Sequence, residues 1–208
     1  MRNAAVVFVA VVAMMETDRR AAMAVLERLA PTQREMMNVN AAEGEYLADV
    51  VRKVGAKRAL EIGTSNGYSG IWLAMALRET GGRLITFEID RERWAQAQEN
   101  FKQAGVSGRV DSRLADALEE APKLEGEFDF VFIDAWKPDY VKYLRMVTPK
   151  VRPGGVIMAH NTRSQSDAMR AFRKALLEEP LLETQFVEPG PGGFSVSVKK
   201  RAVSAGVD

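Results

Sequence analysis

The chain contains no cysteine, which excludes disulfide bonds, thiolate metal ligands and cysteine nucleophiles together. It has one histidine, His160, so any imidazole acid, base or ligand has a single possible location. Neither sign of charge dominates: 29 Lys and Arg against 28 Asp and Glu leave a net charge of +1, no field to hold a polyanion or an anionic membrane. Nucleic acid is therefore not an expected partner. Internal repeats and low-complexity segments are also missing. The apolar run Ala4 to Met15 (AAVVFVAVVAMM) is too short to span a bilayer as a helix, so no stable membrane span is expected. Three readings of that run stay open: a segment packing on the body or on a partner subunit, an upstream extension with the true start at Met14 or Met15, or a signal or anchor with a weak cleavage site at Val11-Val12-Ala13. What is present is ordinary: 208 residues, 47% of them hydrophobic, suffice for one domain with a sizeable core. Residues 1–16 are set apart as the apolar segment, and 17–208 are expected to form that domain.

The chain is organised around Arg58 to Asp90. A short apolar run (Ala59, Leu60, Ile62), a loop with Gly63, Gly67 and Gly70, an apolar helix, a Gly81-Gly82 break and a strand ending in Glu88 read as one βαβ unit. Glycines in the first βα loop let backbone approach a ligand. A carboxylate about 25 residues further on, at the end of the second strand, is placed to accept hydrogen bonds from ribose hydroxyls. The spacing Gly63-Thr-Ser-Asn-Gly67 departs from the Gly-x-Gly-x-x-Gly that cradles a pyrophosphate. With Glu61 in front, it suits a nucleoside carrying an amino acid end and no phosphate, such as S-adenosylmethionine. The bland alternative is an α/β domain whose glycines only make a tight turn.

Around this unit the apolar spacing predicts helices over Thr17 to Leu29 and Ala41 to Val54, the second stopped by Gly55, with Met36 to Asn40 as connector. After Glu88 come a helix from Arg91 to Ala104, a strand near Val110 to Leu114, a short helix after Asp116, and the apolar strand Phe128 to Ile133. A helix from Val141 to Val151 is expected to break at Pro153-Gly154-Gly155, before a strand from Val156 to Ala159 and a helix from Ser164 to Glu178. Glu183 to Val187 and Phe194 to Lys199 read as a closing hairpin. The expected fold class is α/β: a Rossmann-like, doubly wound, mostly parallel seven-stranded sheet with a C-terminal antiparallel hairpin and extra N-terminal helices.

Asp134, His160 and Asn161 follow two strands that ought to be neighbours, so they are expected to converge on the ligand-binding edge. Such an oxygen-plus-imidazole set could hold a divalent cation. Taken singly, Asp134 is equally at home as a helix cap and His160 as a satisfied core histidine. Trp136 and Lys137 bring an aromatic face and an ammonium to the same crevice. Methyl transfer from a sulfonium is an in-line displacement that asks the protein to orient the acceptor and remove its proton. A cation with Lys137 as base would serve, and without the cation His160 itself could be the base.

These residues resemble the class I S-adenosylmethionine-dependent O-methyltransferases of the catechol and caffeoyl-CoA type. LEIGTSNGYS (Leu60 to Ser69) is similar to that family's first cofactor motif, ITFEID (Ile85 to Asp90) to the second, and FIDAWKPDY (Phe132 to Tyr140) to the motif carrying a metal aspartate. Met37-Asn38-Val39, with Glu43-Gly44 following, resembles the segment over the methionine part of the cofactor. The resemblance implies that Gly63, Ser65, Tyr68 and Ser69, with Met37, Val39, Glu61 and Gly67, surround the amino acid end. It places Glu88 on the ribose, and Asp116, Ala117 and Trp136 around the adenine. Asp134 and Asn161 would be metal ligands, joined by His160, and Lys137 the base. The departure is His160, where the family has an aspartate; a neutral imidazole there removes a negative charge and favours cations softer than Mg2+. The resemblance further implies a homodimer; the inferred cofactor, made and kept in the cytoplasm, points to that compartment, and the expected acceptor is a small hydroxylated molecule, a phenol or catechol. Two rivals are a non-catalytic protein that kept the cofactor pocket and an NAD(P)-dependent oxidoreductase, the latter disfavoured by the glycine spacing.

Overall fold

The computed structural model describes residues 16, 19–32 and 38–201. The apolar run at 4–15 and the Met36-Met37 part of the connector lie outside these residues, so the role expected of Met37 does too. Residues 19–29 form helix α1. Next come α2 (Ala41–Lys53), β1 (Arg58–Ile62), α3 (Tyr68–Thr80), β2 (Arg83–Glu88), α4 (Arg91–Gln103) and β3 (Val110–Leu114). The remainder is α5 (Ala117–Glu120), β4 (Phe128–Ile133), α6 (Tyr140–Val147), β5 (Val151–His160), α7 (Asp167–Glu178), β6 (Leu182–Val187) and β7 (Phe194–Lys199).

The strands make one seven-stranded sheet in the order β3-β2-β1-β4-β5-β7-β6. The first five are mutually parallel, while β7 runs antiparallel between β5 and β6. Both faces are covered. Phe130 and Phe132 of β4 point into one apolar layer with Leu47, Val51, Ile71 and Phe101; Val131 and Ile133 point into the other with Tyr140, Leu144 and Phe172. That alternation buries nearly every residue of β4, which is why the strand reads as a continuous apolar run. Chain order reverses between β1 and β4, and the carboxyl ends of these two strands open the crevice where such sheets bind ligands.

One expectation is corrected. The helix forecast to Val151 ends at Val147, because Pro149 lacks the N–H to continue it and the chain tightens into a 3-10 turn over Thr148–Lys150. Pro153-Gly154-Gly155 breaks no helix; it lies within β5 as a bulge, where two steps along β4 (Phe128 to Phe130) are matched by five along β5 (Val151 to Val156). Beyond the bulge the register holds through Ile133 opposite Ala159, so Asp134 and His160 emerge side by side.

Candidate active site

The loop after β1 is built by backbone. Gly63 N and Thr64 N both donate to Phe87 O at 3.1 Å, which bends the chain across the end of β2. Gly63 has φ of 101°, and a Cβ there would collide with the Asp134 carbonyl oxygen; only glycine combines that dihedral with that contact. Ser65 N donates to Glu88 Oε2 at 2.7 Å, and Ile89 N and Asp90 N both donate to Glu88 Oε1 at 3.0 Å. Glu88 thus stands upright at the rim with lone pairs to spare. Beneath the loop, Glu61 is fully enclosed and accepts hydrogen bonds from Ser69 Oγ at 2.6 Å and Thr86 Oγ1 at 2.7 Å.

Burial, only partly offset by those two hydroxyls, pushes the Glu61 carboxyl from 4.5 up to about 7. A carboxyl raised in the folded state adds its full stability only below its unfolded value and loses it as pH rises through the folded one. Glu61→Gln cannot ionise, so its stability relative to wild type is expected to improve as pH rises from about 4.5 to above about 7. Thermal unfolding at a series of pH values checks this; parallel curves would contradict it.

Two cavities meet on this edge. The smaller, about 500 Å3, is walled by Gly63, Ser65, Ser69, Glu88, Asp116 and Ala117 on one side and by Asp134 and Trp136 on the other. Ser65 Oγ is buried there without a hydrogen-bond partner, a polar atom waiting for a ligand group. The larger, about 910 Å3, is lined by Pro31, Asn161, Ser164, Pro191 and others, with His160 and Glu43 at its floor. Asn38, Trp136 and Lys137 line both.

The floor of the larger cavity holds a chain of charge. His160, 3% exposed, has Nδ1 at 3.1 Å from Asp134 Oδ2, and Nε2 at 3.3 Å from Glu43 Oε1, close enough to pair charge though too poorly aligned for a hydrogen bond. Glu43 is itself buried, accepting from Asn40 N and Gly192 N, each at 2.9 Å. On its outer oxygen Asp134 faces Lys137 Nζ at 3.5 Å and the Tyr140 hydroxyl, which donates at 3.4 Å. Burial alone would lower the His160 pKa, but the Asp134 and Glu43 carboxylates outweigh it and raise it to about 9. Burial likewise works to raise Asp134 and Glu43, and the imidazolium between them holds both below the ordinary carboxylate value. The two carboxylates therefore favour the charged form of His160 at neutral pH.

Of the residues expected around a cofactor, Gly63, Ser65, Ser69, Glu88, Asp116, Ala117, Asp134 and Trp136 line the smaller cavity. The other four described residues are absent from that cavity's lining. Glu61 lies behind the loop and supports it; Gly67 caps α3 against Phe101; Tyr68 is buried in the core; and Val39 turns inward to the core, leaving its neighbour Asn38 on the cavity wall. The reason is common to all four: the crevice takes the groups that face the strand ends, and the core takes the apolar or enclosed ones. For the cation set, Asp134, His160 and Asn161 do converge, but His160 is engaged by two carboxylates, and no cluster of three or more His, Asp or Glu among the described residues is arranged to hold a metal. Asn161 has φ of 59° and an unpartnered, buried Oδ1. Sequence reading did not connect Glu43 with His160 and gave Gly192 and Tyr140 no role. Asn40-x-x-Glu43 is a helix capping box, present in the structure, and that local role hides the longer-range one.

A doubly wound sheet with a glycine loop, a strand-end carboxylate and adjoining cavities at its topological switch point defines the nucleoside-cofactor class of α/β proteins. Comparison with known proteins narrows the class. The O-methyltransferase family model matches residues 15–171, and the chain belongs to that family. It is 39% identical over 145 residues to the catechol O-methyltransferase of Niastella koreensis, covering 68% of this chain and 65% of that protein. Among solved structures it is similar to the O-methyltransferase TomG from Streptomyces achromogenes, in complex with SAM (30% identity, TM-score 0.75, 85% and 90% of the two chains). It is likewise similar to an O-methyltransferase from Bacillus cereus in complex with SAH (29%, 0.74, 85% and 91%). The matched segment spans 65% of the Niastella protein and 50% of Caffeoyl-CoA O-methyltransferase 2 of Zea mays, less than two thirds of each. Among the described residues no helix is long and apolar enough to cross a membrane.

Proposed function

We propose that this chain transfers the methyl group of S-adenosylmethionine to an oxygen of a small hydroxylated acceptor, a phenol or a catechol. The observation that carries the reading is the junction of the two cavities at Asn38, Trp136 and Lys137, with Glu88 and the orphaned Ser65 hydroxyl in one and a roomy second space beside it. The residues fit the cofactor. Glu88 would hold the ribose, Ser65 and Ser69 the amino acid end, and Asp116, Ala117 and Trp136 the adenine, as in the family resemblance. SAM and SAH in the neighbouring structures, and catechol in the name of the bacterial relative, support the same assignment.

When bound, the sulfonium supplies an electrophilic methyl whose S–C bond breaks as the acceptor's O–C bond forms. The protein's part is to align the acceptor oxygen and take its proton. Lys137 Nζ stands at the junction, and we assign it the acceptor's proton, which it takes up as the uncharged amine after releasing its resting proton to solvent; His160, held between Asp134 and Glu43, is a positioning group. Exposed Trp136 offers the aromatic wall against which a flat acceptor would pack. We further place the protein in the cytoplasm, where this cofactor is made, as a homodimer; light scattering on the purified chain tests the second point.

Glu88→Ala is expected to weaken S-adenosylhomocysteine binding at least about a hundredfold, the loss of two charge-assisted hydrogen bonds to a ribose. Titration calorimetry reads it. Unchanged affinity in the variant, or no heat with wild type, defeats the methyltransferase reading, and protection by NAD or NADP instead would favour the oxidoreductase.

A further inference from the structure

We propose that this enzyme needs no divalent cation, because His160, lodged between Asp134 and Glu43, fills with an imidazole packed against two carboxylates the position where the family it resembles has a ligand aspartate. The proposal rests on the methyltransferase reading above only for the reaction the site serves; the geometry stands by itself.

Three features of the site argue it. First, both nitrogens of the one imidazole lie beside buried carboxylates, Nδ1 in a hydrogen bond to Asp134 at 3.1 Å and Nε2 3.3 Å from Glu43. The ring has no room to turn away: Phe194 lies 5.2 Å from it centroid to centroid, and a Cβ on Gly192 would strike Nε2, so the hairpin loop closes directly on it. Glu43 is equally fixed, by two backbone N–H groups from separate parts of the chain. Second, both oxygens of Asp134 are already occupied: His160 Nδ1 lies 3.1 Å from Oδ2, and Lys137 Nζ and the Tyr140 hydroxyl lie 3.5 Å and 3.4 Å from Oδ1. A divalent cation would have to displace these neighbours in a site where Asp134 is 9% and Glu43 2% exposed. Third, the hard oxygen donors are reduced and engaged: Asp134 and the Asn161 amide oxygen remain of the set, and both oxygens of the nearby Glu43 already accept backbone N–H groups. The buried, unpartnered Asn161 oxygen lines the larger cavity, where it is free to accept a hydrogen bond from the acceptor's hydroxyl.

The decisive experiment treats the wild-type chain with excess EDTA, desalts it, and measures three things: metal content, thermal shift with Mg2+ and Mn2+, and transfer of labelled methyl from S-adenosylmethionine to a panel of catechols with and without added metal. The proposal expects no bound metal, no shift in Tm with either ion, and turnover changed less than about twofold by chelator or metal. His160→Asp places a third carboxylate beside Glu43 and Asp134, and it is expected to gain a Tm rise with Mn2+ that wild type lacks. A wild-type Tm raised by Mg2+ or Mn2+, or turnover lost to EDTA and restored by either ion, overturns the proposal, whether or not the variant folds. Failure to bind S-adenosylhomocysteine would strike the methyltransferase reading instead and leave the cation measurements to be read on their own.

Discussion

Gly63→Ala is expected to abolish S-adenosylhomocysteine binding and to cost roughly 3–5 kcal/mol of stability. Two penalties fall on the same residue. Its φ of 101° lies outside the left-handed well an L-residue tolerates, and the new Cβ would enter the carbonyl group of Asp134. Relief requires the ends of β1 and β4 to move apart. That motion would break the bond from Asp134 N to Ile62 O at 2.9 Å and would carry Asp134 away from His160. Urea denaturation and calorimetry on the purified variant read both effects; near-wild-type stability with intact binding would show that the loop is not seated on the Asp134 backbone.

His160→Leu carries the second large effect. Leucine matches the ring in volume closely enough to keep Phe194 packed, but it strands Glu43 and Asp134 as two buried carboxylates without the charge between them. Breaking a buried ion pair from one side costs about 3–5 kcal/mol, since the charge left behind has neither water nor partner. At neutral pH the variant is therefore expected to unfold well below wild type. Lowering the pH should recover part of the loss, because the stranded carboxylates then take up protons. Chemical denaturation at two pH values tests it. A loss that does not depend on pH would mean the imidazole contributes packing alone.

How much of this was legible beforehand follows from how local each signal is. The βαβ unit, the carboxylate at the end of β2 and the meeting of Asp134 with His160 follow from periodicity, glycine spacing and the rule that strand ends share an edge, and the structure has all three. The bulge in β5 was not legible, because Pro-Gly-Gly usually ends an element and only pairing with β4 holds it inside one. Nor was Glu43. Its capping role is satisfied within four residues, and nothing nearby tells that its other oxygen meets Gly192, 149 positions on.

The amino acid sequence by itself determined the parallel sheet, the crevice and the residue types along its rim, since those depend on patterns repeated over a few residues. Tertiary structure alone decided which of those side chains face the crevice: Asn38 outward and Val39 inward, Glu88 upright and Glu61 enclosed. It alone also set the one histidine between two carboxylates that favour its charged form, one arriving from α2 and the other from the end of β4.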